Sequence, residues 1–128
     1  MLGNQDAVVT IAVKDLAVAQ KFYEGTLGLK KVDLGDSGQE EEVLSLKSGS
    51  SRVNVYRSKY AGTNQATAAT WVVPDVDGTV RDLKAKGVAF ERYDLPEMNH
   101  EGDVHVAGKL RAAWFKDPDG NILSLVNP

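Results

Sequence analysis

The hydrophobic positions of the chain predict one order of elements that occurs twice. In the first half, residues 7–13 form a short β-branched run, which predicts a strand buried on both faces. Asp15 then occupies the N-cap position of a helix, and Gly28 ends that helix. The apolar stripe of the helix consists of Leu16, Ala19, Tyr23 and Leu27. Three further strands are predicted at about 30–34, 42–47 and 52–57, and the last two form a hairpin.

The second half repeats this order. Residues 68–73 predict a strand, Asp75 caps a second helix, and Gly87 ends it. Strands are predicted at 89–93, 110–116 and 122–126, and the last two form a hairpin over residues 117–121. The intervening segment, residues 94–109, is rich in small and polar residues and is interpreted as a solvated surface loop. The alternative is a lid that closes over a ligand.

The repeated order favours an internal duplication. Val13-Lys14-Asp15-Leu16 matches Val73-Pro74-Asp75-Val76 at an offset of 60 residues, and other segments match at 59 and 70. Any α+β protein places Asp before helices and Gly after them, but here caps, stops and hairpins recur in one order. The prediction is one α+β domain, residues 1–128. Module one spans about 7–58, a linker about 59–66, and module two about 67–128.

Composition narrows the classes of function. The 128 residues are 42% apolar and 26% charged, with a formal net charge of −3, which is typical of a globular protein. The basic residues are too few and too scattered to predict a surface that binds nucleic acid. No run approaches the roughly 20 apolar residues of a membrane span. The chain has no cysteine, so disulfides and thiolate sites are excluded. The start of the chain is unlike a signal peptide, so we expect a cytoplasmic protein.

Two groups of residues resemble a known superfamily. Val13-Lys14-Asp15-Leu16, Lys21-Phe22-Tyr23 and Leu27-Gly28-Leu29 look like the first-half signature of the vicinal oxygen chelate superfamily. Phe115-Lys116-Asp117-Pro118-Asp119-Gly120-Asn121 looks like its C-terminal hairpin. The superfamily includes glyoxalase I, extradiol dioxygenases, fosfomycin-resistance enzymes and bleomycin-binding proteins. The resemblance implies two βαβββ modules that form a curled mixed sheet around a central cleft.

The resemblance also implies where a metal would bind. Metal-using members carry His, Gln or Glu at four positions in the first and last strands of each module. By alignment with the two capping aspartates and the final hairpin, those positions here are Val8, Asn54, Ala68 and Ser124. Val8 and Ala68 have no lone pair, and a neutral amide and hydroxyl make a poor site for transition metals. We therefore expect no metal and no cofactor.

Strand alternation suggests which residues would line such a cleft. Positions 8, 10 and 12 share one face of the first strand, and positions 68, 70 and 72 share one face of the equivalent strand. The resulting surface is mainly apolar with a few hydrogen-bonding groups, which suits a small organic ligand. Trp114 is as consistent with the core as with stacking on a ligand. The expected ligand-binding residues are Thr10, Asn54, Tyr56, Thr70, Trp114, Ser124 and His105.

The leading hypothesis is a metal-free protein that sequesters a small organic molecule, an antibiotic or a metabolite, as bleomycin-binding relatives do. The alternative is a lyase, isomerase or oxygenase of the same superfamily, although no catalytic constellation is visible. A third reading is an interaction protein with a vestigial cleft. Because many relatives pair modules between chains, the resemblance implies a homodimer.

Overall fold

The computed structural model describes residues 1–33 and 42–128. The chain divides into two compact units, Met1–Thr63 and Asn64–Pro128, and the boundary lies within the predicted linker. The end of the strand predicted at 30–34 lies outside the described residues.

The first unit is a four-stranded sheet with one helical segment. A short 3-10 helix, Leu2–Asn4, precedes the first strand. The elements that follow are β1 Val9–Val13, α1 Leu16–Gln20, β2 Lys30–Lys31, β3 Val43–Ser48 and β4 Ser51–Arg57. The sheet has the order β1-β4-β3-β2, in which β1 runs parallel to β4 and the other pairs are antiparallel. Helix α1 continues into a π-helical turn, Lys21–Thr26.

One face of this sheet forms the core of the first unit. Ile11, Val53 and Val55 are almost completely buried on the face that also carries the inward residues of β3. Helix α1 packs on β3 and β4 and adds buried Ala19, and Tyr23 follows in the π-helical turn. The prediction that the first strand is buried on both faces is wrong, because Thr10 on its other face is exposed. Because almost every residue of this strand is apolar, the sequence did not show that buried and exposed side chains alternate along it.

The predicted helix caps are confirmed. A carboxylate oxygen of Asp15 accepts hydrogen bonds from the backbone N–H groups of Ala17 at 2.9 Å and Val18 at 3.2 Å. In the second unit the carboxylate of Asp75 accepts one from Gly78 at 3.0 Å. Each bond satisfies an N–H group that has no partner within the first turn of its helix.

The second unit repeats the topology of the first and extends it. Its elements are β5 Thr67–Val72, α2 Val76–Ala85, β6 Phe90–Glu91, β7 Asn99–Glu101, β8 Val104–Ala107, β9 Leu110–Lys116 and β10 Ile122–Val126. The sheet has the order β5-β10-β9-β8-β7, with β6 also paired to β9, and β5 runs parallel to β10. Helix α2 packs on β8 and β9. The buried helix positions Val76, Val80 and Leu83 lie in the same core as the strands.

The segment predicted as a loop, residues 94–109, contains the hairpin β7–β8, and that prediction is wrong. Gly102 adopts a φ of 64° in the turn, which favours glycine, and β8 pairs with β9. Val104 and His105 are buried, so the second half of the segment is part of the sheet. The glycines and acidic residues around the turn favoured the prediction of a loop. The two strands are short and gain most of their stability by extending an existing sheet.

The described residues confirm the predicted α+β class, with two mixed sheets and few helices. In both units the first strand pairs in parallel with the last, which pairs with the strand before it. Within residues 1–33 and 42–128, no helix is long and apolar enough to cross a membrane.

Candidate functional site

In the first unit, three polar side chains form a row on the sheet face opposite the helix. Thr10 on β1 lies beside Asn54 on β4, which lies beside Ser45 on β3. The Ser45 hydroxyl donates a hydrogen bond of 2.6 Å to Oδ1 of Asn54. Tyr56 follows on the same face beside Ala12 and is 37% exposed. The row therefore places the exposed hydroxyl of Thr10 beside the amide of Asn54, which Ser45 orients, and the phenol ring of Tyr56 lies next in the row.

The second unit has an equivalent row on its own sheet. Thr70 on β5 lies beside Ser124 on β10, which lies beside Trp114 on β9. The hydroxyls of Thr70 and Ser124 are 2.6 Å apart and share a hydrogen bond. The indole Nε1–H of Trp114 donates to Oγ1 of Thr67 at 3.2 Å. Trp114 thus lies on the face away from α2 and not in the core beneath the helix.

An aromatic cluster adjoins this row and consists of Tyr93, His100, His105 and Trp114. The ring of His105 meets Trp114 edge to face with 4.7 Å between centroids, and His100 in the same way at 4.6 Å. Tyr93 contacts Trp114 with 5.5 Å between centroids. His105 and His100 are directly opposite each other on β8 and β7. The hairpin thus brings His105 beside the tryptophan and His100 beside His105.

Hydrogen bonds to the backbone of Tyr93 hold the two imidazoles. The N–H of Tyr93 donates to Nε2 of His105 at 2.9 Å, and the carbonyl oxygen of Tyr93 lies 2.9 Å from Nε2 of His100. In the described part of the chain, Nδ1 of His105 and the hydroxyl of Tyr93 are buried without a hydrogen-bond partner. Such atoms are uncommon in folded proteins, because each costs about 1–3 kcal/mol when it is left unpaired.

Burial favours the neutral form of both His105 and Tyr93. Burial lowers the pKa of His105, and the nearby His100 lowers it further; the backbone groups of Tyr93, Ala112 and Asp103 act against this shift and are outweighed. Burial also raises the pKa of Tyr93, with Glu91 adding to the effect and Lys116 opposing it. A neutral imidazole and a neutral phenol are hydrogen-bonding groups without net charge.

The structure brings together some of the predicted ligand-binding residues. Thr10 and Asn54 are neighbours in the first unit. Thr70, Ser124, Trp114 and His105 lie on one face of the second unit.

The interpretation of His105 as part of a solvated loop is wrong, because it is fully buried in a strand. Sequence reasoning missed Tyr93 and His100 as members of this cluster. The alternation Val104-His105-Val106 after the turn at Gly102 was the signal that could have indicated a strand.

The residues at the superfamily's metal positions do not fit a metal. Val8 and Ala68 offer no donor atom, Oδ1 of Asn54 accepts from Ser45, and the hydroxyl of Ser124 bonds to Thr70. Across the described ranges, no three His, Asp or Glu side chains are grouped to hold a metal ion. Hydrocarbon, amide and hydroxyl groups already engaged with neighbours are a poor ligand set for Zn²⁺, Fe²⁺ or Ni²⁺.

A separate surface pocket of about 320 Å³ lies between α2 and the β7–β8 hairpin. Its charged lining is already paired within the unit. Asp103 binds Lys84 at 2.7 Å and Arg92 at 3.1 Å, and Arg111 links Asp77 to Glu101 on either side. We assign this pocket a structural role, since its ion pairs connect the helix and the sheet.

Comparison with known proteins identifies the superfamily of the chain. The sequence model of the Glyoxalase/Bleomycin resistance protein/Dioxygenase superfamily matches residues 6–125. The chain belongs to this superfamily. The resemblance found in the sequence is thereby confirmed. No curated protein matches the sequence significantly.

Solved structures of the superfamily share the fold at low identity. A glyoxalase family protein from Enterococcus faecalis has a TM-score of 0.72 and 18% identity, with 98% of this chain and 99% of that chain covered. A superfamily member from Sphaerobacter thermophilus has a TM-score of 0.69 and 22% identity, with both chains fully covered. The fosfomycin resistance protein FosX from Listeria monocytogenes has a TM-score of 0.71 and 15% identity, covering 98% and 93%. These identities show a common fold and not a common activity.

Proposed function

We propose that this protein binds and sequesters a small, partly apolar organic molecule without a metal ion. The observation that carries the proposal is the helix-free face of the second unit. There the Thr70–Ser124 hydroxyl pair adjoins Trp114, and Trp114 contacts buried His105, whose Nδ1 lacks a partner among the described residues. Aromatic area with a few polar groups is the usual composition of a small-molecule site.

The first unit supports the same proposal. Its equivalent row presents Thr10, Asn54 and Tyr56, with Asn54 oriented by its bond to Ser45. The proposed contacts of the first unit are Thr10, Asn54 and Tyr56, and those of the second unit are Thr70, Trp114, Ser124 and His105. The side chains at the four positions that the resemblance implies for a metal support binding without one. Val8 and Ala68 are apolar, and Asn54 and Ser124 are hydrogen-bonded to Ser45 and Thr70.

The test is a thermal-shift screen of aromatic antibiotics and small carboxylate metabolites, with EDTA or with added divalent metals. A ligand that binds the folded state raises Tm, and the proposal expects the same rise in EDTA as with metal. Isothermal titration calorimetry then compares Trp114→Phe with Trp71→Phe, a matched change of the tryptophan on the α2 side. Weaker binding only for Trp114→Phe supports the proposal. Ligand binding that requires a stoichiometric divalent metal would overturn it.

A second candidate is a lyase, isomerase or oxygenase that uses no metal at the usual positions. The observation that favours it is His105, a neutral imidazole with one nitrogen fixed by Tyr93 and the other unpaired among the described residues. Such a group could accept or donate a proton. Mass spectrometry of ligands recovered after incubation distinguishes the two, since sequestration returns the compound unchanged.

The proposal includes a cytoplasmic homodimer that binds neither nucleic acid nor membrane. Analytical ultracentrifugation with and without ligand tests the dimer, and cell fractionation tests the location. A monomer at micromolar concentration that still binds ligand would remove the dimer from the proposal and leave the binding intact.

A further inference from the structure

Two buried polar atoms in the second unit lack hydrogen-bond partners within the described residues. They are Nδ1 of His105 and the hydroxyl oxygen of Tyr93. His105 is fully buried, and its ring is 6.1 Å from that of Tyr93 between centroids. Both belong to the aromatic cluster on the face where ligand binding is proposed. An unpaired buried group in a native fold calls for an explanation, and a bound ligand is one.

The backbone determines what His105 can offer a ligand. Nε2 of His105 accepts the N–H of Tyr93 at 2.9 Å, so that nitrogen carries no proton. The proton of the neutral ring therefore lies on Nδ1. Nδ1–H and the hydroxyl of Tyr93 can both donate, and a single acceptor oxygen is the simplest group that satisfies donors of this kind.

The surrounding charges indicate which acceptor. Glu91 and Lys116 are the charged groups that act on the Tyr93 hydroxyl, and they pair with each other at 3.2 Å. His105 is influenced by His100, which lies on the neighbouring strand. A carboxylate here would lose its hydration and gain no dedicated cation, which is costly. An uncharged carbonyl has a much smaller hydration cost and accepts the same hydrogen bonds.

We infer that the aromatic cluster binds the uncharged carbonyl oxygen of an aromatic ketone, quinone or amide, with Nδ1–H of His105 and the Tyr93 hydroxyl as donors. Trp114, half-buried and held by one bond to exposed Thr67, shifts to admit the ligand and stacks on its ring. This inference rests on the proposed function and adds the chemical class of the ligand.

Three ligands with one ring system test this class. They are 2-acetylnaphthalene, which carries an uncharged carbonyl, 2-naphthoate, which is ionised at about pH 7.5, and 2-ethylnaphthalene, which has no acceptor. Calorimetry should show that 2-acetylnaphthalene binds about tenfold more tightly than 2-ethylnaphthalene, because it pairs the buried donors. It should also bind more tightly than 2-naphthoate.

Two variants locate the donors. His105→Leu removes the Nδ1 donor together with the rest of the imidazole, while Tyr93→Phe removes one hydroxyl and nothing else. Each should reduce the preference for the acetyl over the ethyl compound several-fold. Tyr60→Phe is the matched control, since Tyr60 is 65% exposed in the first unit, and it should keep the preference. With ¹⁵N-labelled histidine, the acetyl compound should shift the Nδ1 resonance of His105.

The outcomes separate the two proposals. Equal affinity for the acetyl and ethyl compounds overturns the carbonyl inference and leaves small-molecule binding standing. Preference for 2-naphthoate overturns it as well and identifies a carboxylate site. If Tyr93→Phe and Tyr60→Phe change the preference equally, the donors are misassigned and the inference fails. Absence of binding by all three compounds counts against the proposed function and the inference together.

Discussion

The backbone N–H of Tyr93 donates a 2.9 Å hydrogen bond to Nε2 of His105 and so determines which nitrogen of a buried imidazole carries its proton. The bond joins the chain just after β6 to the middle of β8, across twelve residues of sequence. It orients the ring against Trp114 and leaves Nδ1–H as the donor. The chemistry proposed for the cluster depends on this orientation.

Protonation of His105 should destabilise the protein as the pH falls. The pKa of His105 is below its ordinary value of 6.5, chiefly because of burial. The unfolded chain takes up a proton near that value while the folded chain does not, so the free energy of unfolding decreases below it. Thermal unfolding of the wild type between about pH 5 and 8 should show Tm falling on the acid side.

The variant His105→Gln is the comparison for this pH effect. It should show a smaller fall in Tm over the same range, because its side chain does not titrate. Carboxylate groups are common to both proteins and cancel in the difference. Parallel Tm curves for the two proteins would show that His105 is not the group responsible.

Gly78 and Asp75 should be energetically coupled. A Cβ at position 78 would overlap the carboxylate of Asp75 that caps α2. Gly78→Ala raises helix propensity by about 1 kcal/mol but displaces the cap, which costs about the same. In the Asp75→Ala background the cap is already absent, so Gly78→Ala should be more favourable there by about 1 kcal/mol. Urea denaturation of the four proteins measures the coupling, and additive effects would contradict it.

Arg111 should stabilise the second unit in a salt-dependent way. Its guanidinium binds both oxygens of Asp77 at 2.9 Å and Glu101 at 2.8 Å, which connects α2, β9 and β7. Lysine cannot reproduce this fork, so Arg111→Lys should lower Tm, and the difference should shrink in high salt. Arg81→Lys, at a site 78% exposed, is the control and should leave Tm unchanged. Equal effects of the two substitutions would show that the network adds nothing.

Substitutions that remove the hydroxyls of Thr70 and Ser124 should have non-additive effects on the free energy of unfolding. Thr70→Val leaves the buried hydroxyl of Ser124 without its partner at 2.6 Å, which costs about 1 kcal/mol or more. The double variant Thr70→Val/Ser124→Ala removes both polar groups and should cost less than the sum of the single changes. Denaturant unfolding measures all three variants, and a double variant as costly as that sum would exclude a shared hydrogen bond.

Elements with local signals were predictable from the sequence. The caps at Asp15 and Asp75 and the strands Leu110–Lys116 and Ile122–Val126 occur as predicted. Capping, helix stops and turns depend on residues a few positions apart, so the chain encodes them locally. Period-two alternation likewise predicted which residues share the faces of Thr10 and Thr70, while the choice of those faces as the ligand side came from the superfamily resemblance.

The burial of His105 in the hairpin β7–β8 was not predictable by the same means. Strand β7 is short and polar and pairs with β8, and β8 in turn pairs with β9, which lies later in the chain. His105 is buried because that pairing places it in one row with His100 and Ala112.

The sequence by itself determined the repeated order of elements and the caps and turns within it. Each of these depends on residue identity and short-range spacing. Only the tertiary structure decided that His105 is buried beside Trp114, with Nε2 fixed by Tyr93 and Nδ1 unpaired among the described residues. Those properties arise from strand pairing between distant segments, and no local pattern of residues encodes that pairing.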